Sequence, residues 1–186
     1  MANLATRCII GDSLLEMGYT KGLLIEPETI SVKVPVFSFE KLRSVDTMLG
    51  PEMKSTGEAI GRDRTLEKAL YKGLTASGLK IPMEGAVLLT VADKDKDEAC
   101  QIAERFFELG FHLYATEGTA RAIREHHLPV TEVGKVGAPG KNVISIIEQG
   151  EVQVVVNSLT SGKKPSSDGF RIRREAVEHG IACLTS

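Results

Sequence analysis

The sequence lacks a cysteine pair, a long apolar run, a basic block and a low-complexity linker, and each absence removes a class of protein. Cys8, Cys100 and Cys183 lie far apart and make no CxxC pair, so neither a disulfide framework nor a zinc site is indicated, and no metal is expected. Free thiols of this kind are expected to sit buried in a reducing cytosol. No hydrophobic stretch is long enough to span a bilayer, and Met1-Ala2-Asn3-Leu4-Ala5-Thr6-Arg7 has no signal-peptide core. We therefore expect a cytoplasmic protein without a membrane partner. A net charge of −2 with no basic run argues against a nucleic-acid surface.

Missing chemistry is equally informative. No Ser-His-Asp or Cys-His constellation can be assembled, and there is no Walker-type loop with its lysine. His112 begins a predicted strand, His126 and His127 close a predicted helix, and His179 closes another. A positive side chain suits a helix end, and all four histidines read as structural. Asp93, Asp95, Asp97 and Glu98 cluster at a helix start, where the dipole accounts for them without catalysis. No catalytic residue is expected in the chain.

What is present is 186 residues, 42% hydrophobic and 26% charged, enough for one full domain and a smaller piece. Helical spacing of apolar residues predicts a helix from residue 2 to about 17, with Gly18 as its C-cap. Residues 30–37 alternate as a strand, and Pro35 places it at an edge or a strand end. Residues 42–65 read as a long loop rich in breakers, of a kind that is functional or packs on something else. Thr65 then caps a helix running to Ser77, with Leu66, Ala69, Leu70 and Leu74 on its buried face. These pieces enclose little core, so the first part reads as the remnant of a larger domain.

A sharper pattern begins after Pro82. Residues 86–91 are a continuous apolar run, as in a parallel strand buried on both faces. Residues 95–109 read as a helix burying Ala99, Ile102, Ala103, Phe106 and Phe107. Strands at 113–116, 130–133, 152–157 and 181–184 alternate with helices at 117–124, 142–149 and 170–179. This alternation predicts an α/β fold, a doubly wound five-stranded parallel sheet, with a domain boundary near residues 81–84.

At its centre stands Tyr114-Ala115-Thr116-Glu117-Gly118-Thr119-Ala120, a strand, a tight turn and a helix start. Free N–H groups and the positive dipole end meet there beside two hydroxyls, which favours an anion, most simply a phosphate. Threonine at a helix start is more often a plain N-cap, so the turn alone does not decide. Ligands of such sheets sit beyond the carboxyl ends of the strands. Those ends carry Thr90 and then Asp93-Lys94-Asp95-Lys96, Thr116 with Thr119, Lys135, and Asn157, Ser158, Thr160, Ser161, Gly162, Lys163 and Lys164. Hydroxyls and lysines from four segments on one rim favour a phosphate-bearing ligand.

The same residues carry a family resemblance. Leu88-Leu89-Thr90-Val91, the turn just described, Asn157-Ser158-Leu159-Thr160-Ser161-Gly162 and Asp168-Gly169-Phe170-Arg171-Ile172-Arg173-Arg174-Glu175-Ala176 resemble the methylglyoxal-synthase-like domain that ends the large subunit of carbamoyl-phosphate synthase. Ala2-Asn3-Leu4-Ala5-Thr6-Arg7, Val32-Lys33-Val34-Pro35-Val36-Phe37-Ser38-Phe39 and Leu49-Gly50-Pro51-Glu52-Met53-Lys54-Ser55-Thr56-Gly57-Glu58 are similar to the end of that subunit's second ATP-grasp half. The resemblance covers essentially the whole chain, in the family's order. It implies an α+β ATP-grasp remnant over residues 1–82 and a methylglyoxal-synthase-like allosteric domain over residues 83–186, cut before a last helix. The implied parent is a ligase of pyrimidine or arginine biosynthesis that makes carbamoyl phosphate from bicarbonate, glutamine-derived ammonia and ATP. Its ATP and Mg²⁺ (or Mn²⁺) would be held upstream, leaving no cofactor in this fragment. Implied partners are the rest of the large subunit, the glutaminase small subunit and a phosphorylated nucleotide effector such as UMP, IMP or phosphoribosyl pyrophosphate. Thr90, Lys96, Thr116, Thr119, Lys135, Asn157 and Ser158 fall on the family's effector-binding positions. The phosphate would lie against Lys96, Thr116, Thr119 and Lys135, and the base and ribose toward Asn157 and Ser158. Around Asn157 this chain has one residue more than the enterobacterial motif.

Two relatives of different function share the implied fold. Methylglyoxal synthase uses aspartates in a Gly-Asp-Gln segment after the third strand, where this chain has Gly137-Ala138-Pro139-Gly140-Lys141-Asn142 and no acid. IMP cyclohydrolase has a similar threonine-glycine turn, but its lysine- and histidine-containing motif has no counterpart here.

Overall fold

The structure, a computed structural model, describes residues 2–20, 22, 26–37, 53, 55–158 and 167–185. Half of the stretch at 49–58, and Thr160, Ser161, Gly162, Lys163 and Lys164, lie outside the described residues.

Helix α1 (Ala2–Ile9) stops well short of Met17. Gly11 takes a φ of 110°, the Asp12 N–H reaches back to the Arg7 carbonyl at 2.9 Å, and the Gly11 N–H bonds the Cys8 carbonyl at 3.1 Å. Those two bonds make a Schellman stop. An ion pair between Arg7 and Asp12 at 2.6 Å reinforces it. None of the residues of α1 is buried.

Strand β1 (Ile30–Val36) pairs antiparallel with β2 (Gly57–Asp63), from Ile30 opposite Asp63 to Val36 opposite Gly57. Strand β2 falls where the sequence reads as loop, because two glycines and three charged residues mask its alternation. Helix α2 (Leu66–Ala76) packs on the pair through small residues. A Cβ at Gly61 would lie 1.9 Å from the Ala69 carbonyl oxygen, and one at Gly73 would lie 2.8 Å from Val34 Cγ2. Backbone therefore meets backbone, and the buried residues of α2 are Ala69 and Gly73. Leu66 and Leu70, expected inside, are exposed.

The second part is a five-stranded parallel sheet. Strands β3 (Ala86–Thr90), β4 (His112–Thr116), β5 (Thr131–Val133), β6 (Val154–Asn157) and β7 (Ala182–Thr185) stand in the order β5-β4-β3-β6-β7. Helices α3 (Lys96–Glu108) and α4 (Glu117–Glu125) cover one face, and α5 (Val143–Glu148) and α6 (Asp168–Glu178) the other. Successive strand residues point to opposite faces. Accordingly Val87 and Leu89 join the α3/α4 core while Leu88 joins the α5/α6 core. All three are wholly buried, at roughly 1.5–3 kcal/mol each. The fold is thus the expected doubly wound α/β sheet. On α3, Cys100 is buried with Ala99 and Ala103, whereas Phe107 is 45% exposed.

Candidate functional site

Strand register assembles a rim at the carboxyl ends. Thr90 pairs with Asn157, Thr116 with Val133, and Leu89 with Ala115, so Thr90 and Thr116 end neighbouring strands at one level. Lys135 follows two residues beyond Val133.

Thr116 holds the N-cap position of α4 with φ −72° and ψ 154°, yet its side chain makes no capping hydrogen bond. At α2 and α5 the caps are made, whereas Asp95 at α3 and Ser167 at α6 make none either. Thr65 accepts the Lys68 N–H at 3.4 Å, and Asn142 accepts the N–H groups of Ile144 and Ser145 at 3.0 and 3.1 Å. The start of α4 is therefore left without a side-chain cap at the positive end of its dipole.

Lys96 lies over that helix start. Its Nζ is 3.3 Å, and its Cε 3.9 Å, from where a Cβ on Gly118 would stand. The lysine side chain is 21% exposed, and its ammonium pairs with Asp93 Oδ1 at 2.6 Å, on a carboxylate that is 94% exposed. The Lys96 hydrogen bond holds the Asp93 carboxyl below its usual range, and the charges of Arg121 and Lys135 pull the same way. Cations from three segments thus act on one point.

Other rim residues fasten the strand ends to each other. Thr119 is 2% exposed, and its Oγ1 accepts the Val91 N–H at 3.5 Å. Ser158 Oγ accepts the Ala92 N–H at 2.9 Å, and the Ser158 N–H donates to the Thr90 carbonyl at 3.2 Å. Asn157 is buried, with Nδ2 donating to the Gly169 carbonyl at 3.0 Å. Beside Ser158 a cleft of about 190 Å³ opens, lined among others by Val91, Asp95, Ile102, Val156 and Leu184.

Of the seven residues singled out from sequence, Lys96, Thr116 and Thr119 meet at the start of α4, and Lys135 follows the end of β5, the strand paired with β4. Thr90, Asn157 and Ser158 stand at the ends of β3 and β6, with the Asn157 amide turned to Gly169. Sequence reasoning read Asp93 only as a helix-start acid and passed over Arg121 and Ser167. The signal for the first was its i,i+3 spacing to Lys96, and for the second its place just after Thr119 in α4. Ser167 has no comparable signal. It is the N-cap of α6, and its Oγ is buried without a hydrogen-bond partner among the described residues.

Chemically the rim offers three cations and an uncapped helix start, which suits a dianionic phosphate. Among the described residues no cluster of His, Cys, Asp and Glu could hold a metal ion. No helix there is long and apolar enough to cross a membrane. Among solved structures, the methylglyoxal synthase of Elizabethkingia anophelis NUHP1 is similar at 21% identity and a TM-score of 0.47, over 57% of this chain and 74% of that one. Residues 98–185, from the first turn of α3 to the last residue of β7, match the family model described as the MGS-like domain.

Proposed function

We propose that residues 83–186 bind a phosphorylated effector, and that the chain is the C-terminal part of a carbamoyl-phosphate synthase large subunit. The observation that carries the effector reading is Lys96, sheathed and held over Gly118 at a helix start that no side chain caps. The phosphate lies against Lys96, the first turn of α4 and Lys135, with Thr119 offering its hydroxyl proton. The ribose and base of UMP or IMP, or the sugar of phosphoribosyl pyrophosphate, extend toward Ser158 and the cleft beside it.

The synthase reading rests on the sequence resemblance of both parts. In it, residues 1–82 are the end of the second ATP-grasp half, with ATP and its metal held elsewhere in the subunit. The open apolar side chains of Ile9, Ile10 and Leu15 fit a segment that packs against the rest of such a subunit. The effector acts by preferring one arrangement of the sheet domain, which biases ligation by its differential affinity.

Titration calorimetry of UMP and phosphoribosyl pyrophosphate against the whole chain tests the effector reading. Binding by neither, in a folded sample, defeats it. Thr119→Ala is expected to weaken binding by ~1–3 kcal/mol, while Thr119→Ser, which keeps the hydroxyl, restores most of it. A second reading, an enzyme acting on a phosphorylated ketone, draws on Asp93, a carboxylate beside the proposed phosphate seat. Methylglyoxal formed from dihydroxyacetone phosphate decides for it. Between β5 and α5, residues 134–142 supply no second acid.

A further inference from the structure

We propose that Asp93 is the resident anion of the phosphate seat: its carboxylate holds Lys96 while the seat is empty, and a ligand phosphate enters by displacing it. The inference rests on the phosphate reading above and adds a built-in competitor to it. Its basis is a contrast between two partners. Lys96 is 21% exposed and lies over Gly118, so most of its side chain is sheathed, whereas Asp93 is 94% exposed on a short turn at Asp93–Asp95 and is free to swing away. The contact between them is a close one, at 2.6 Å.

Arg121 of α4 and Lys135 beyond β5 act on the same carboxylate, which their charges help to keep ionised. One acid thus occupies the field of three cations that belong to three different segments. A monoanion arriving there, a carboxylate or a phosphodiester, replaces Asp93 like for like and gains little. A terminal phosphate monoester brings two charges and three acceptor oxygens, enough to take Lys96 from Asp93 and engage the start of α4 as well. The site therefore selects terminal phosphomonoesters over singly charged anions.

Calorimetric titration of UMP and of inorganic phosphate into five chains tests this: the natural protein, Asp93→Asn, Asp97→Asn, Lys96→Met, and Lys96→Met combined with Asp93→Asn. Asp93→Asn is expected to bind UMP about fivefold more tightly than the natural chain. Asp97→Asn, which removes a nearby charge that is not on Lys96, changes affinity by less than about twofold. In the Lys96→Met background Asp93→Asn gives no gain over Lys96→Met alone. Natural-level or weaker binding by Asp93→Asn, with the natural chain binding normally, overturns the resident-anion assignment and leaves the phosphate site standing. Failure of both the natural chain and Asp93→Asn to bind UMP or phosphate overturns the site and this inference together.

Discussion

Replacing Gly118 by alanine should separate stability from binding, because the two respond with opposite sign. Gly118 is the second residue of α4. In a helix the change from glycine to alanine favours folding by ~0.5–1 kcal/mol, chiefly by restricting the unfolded chain. Space permits it: the new Cβ would stand 3.3 Å from Lys96 Nζ and 3.9 Å from Cε. The tip of a flexible lysine, tethered to an exposed aspartate, yields by a few tenths of an ångström at small cost. Near a helix terminus the gain sits at the low end, about 0.5 kcal/mol, or roughly 1–2 °C in melting temperature for a chain of this size.

Binding should move the other way. The methyl group fills the gap between the start of α4 and the Lys96 ammonium, where a phosphate oxygen would bond both. Loss of one charge-assisted hydrogen bond corresponds to ~1.5–3 kcal/mol, so UMP affinity should fall about tenfold to a hundredfold. Thermal unfolding monitored by circular dichroism, paired with calorimetric titration on the same sample, reads both signs. A raised melting temperature with unchanged affinity refutes the reasoning, since the gap over Gly118 would then be packing and no ligand would use it.

Thr116→Ala should change stability by less than about 0.5 kcal/mol, because its side chain has no capping bond to lose, whereas Thr65→Ala, which does lose one, should cost ~1 kcal/mol. Denaturant unfolding of the two variants checks the contrast. Gly61→Ala should destabilise β1, β2 and α2 by ~1–3 kcal/mol or more, since its Cβ meets helix backbone at 1.9 Å and the whole helix must move. Hydrogen exchange localised to residues 57–76 reads that loss. Glu151 is held below its ordinary value of 4.5 first by its hydrogen bond from Lys141 and then by that from Tyr114. A depressed carboxyl contributes stability that is complete above the unfolded value and lost as pH falls through the folded one. Glu151→Gln should therefore flatten the decline of stability below about pH 4.5 in a pH series of unfolding curves.

Elements that bury an unbroken or strictly periodic apolar pattern were legible in the sequence. Val87, Leu88 and Leu89 announce a strand covered on both faces, and Val143, Ile146 and Ile147 point inward from α5 as spacing requires. Strand β2 was not legible, because its inward position at Gly61 has no side chain and serves the close approach of α2. For the same reason α2 turns Ala69 and Gly73 inward and leaves Leu66 and Leu70 out, against the leucine face that periodicity suggests. The end of α1 was misplaced because two glycines compete as stops, and Gly11 satisfies the last carbonyls first. Within the site, listing strand ends found the lysines and threonines. It did not find where each polar atom is spent. Asn157 and Ser158 bond Gly169 and Ala92, and Lys96 is engaged by an acid from its own turn.

Those internal bonds also decide what a ligand can change. A threonine hydroxyl has two lone pairs and one proton. Thr119 Oγ1 accepts from the Val91 N–H, so its proton remains to be donated, and an anion taking it would polarise the chain from Val91 through Thr119. Val91 and Ala92 follow directly on β3, the strand whose Leu88 and Leu89 sit in both cores, and Ser158 bonds Ala92 from β6. A phosphate held by Lys96 and the start of α4 would therefore clasp α3, α4 and the end of the central strand together. Any arrangement in which that strand end draws away from α4 loses the Thr119 bond and parts Lys96 from Gly118, and so binds the phosphate less well. An effector shifts an equilibrium by its differential affinity alone. One or two charge-assisted bonds present in a single arrangement correspond to ~1.5–3 kcal/mol, which is the size of an ordinary allosteric coupling.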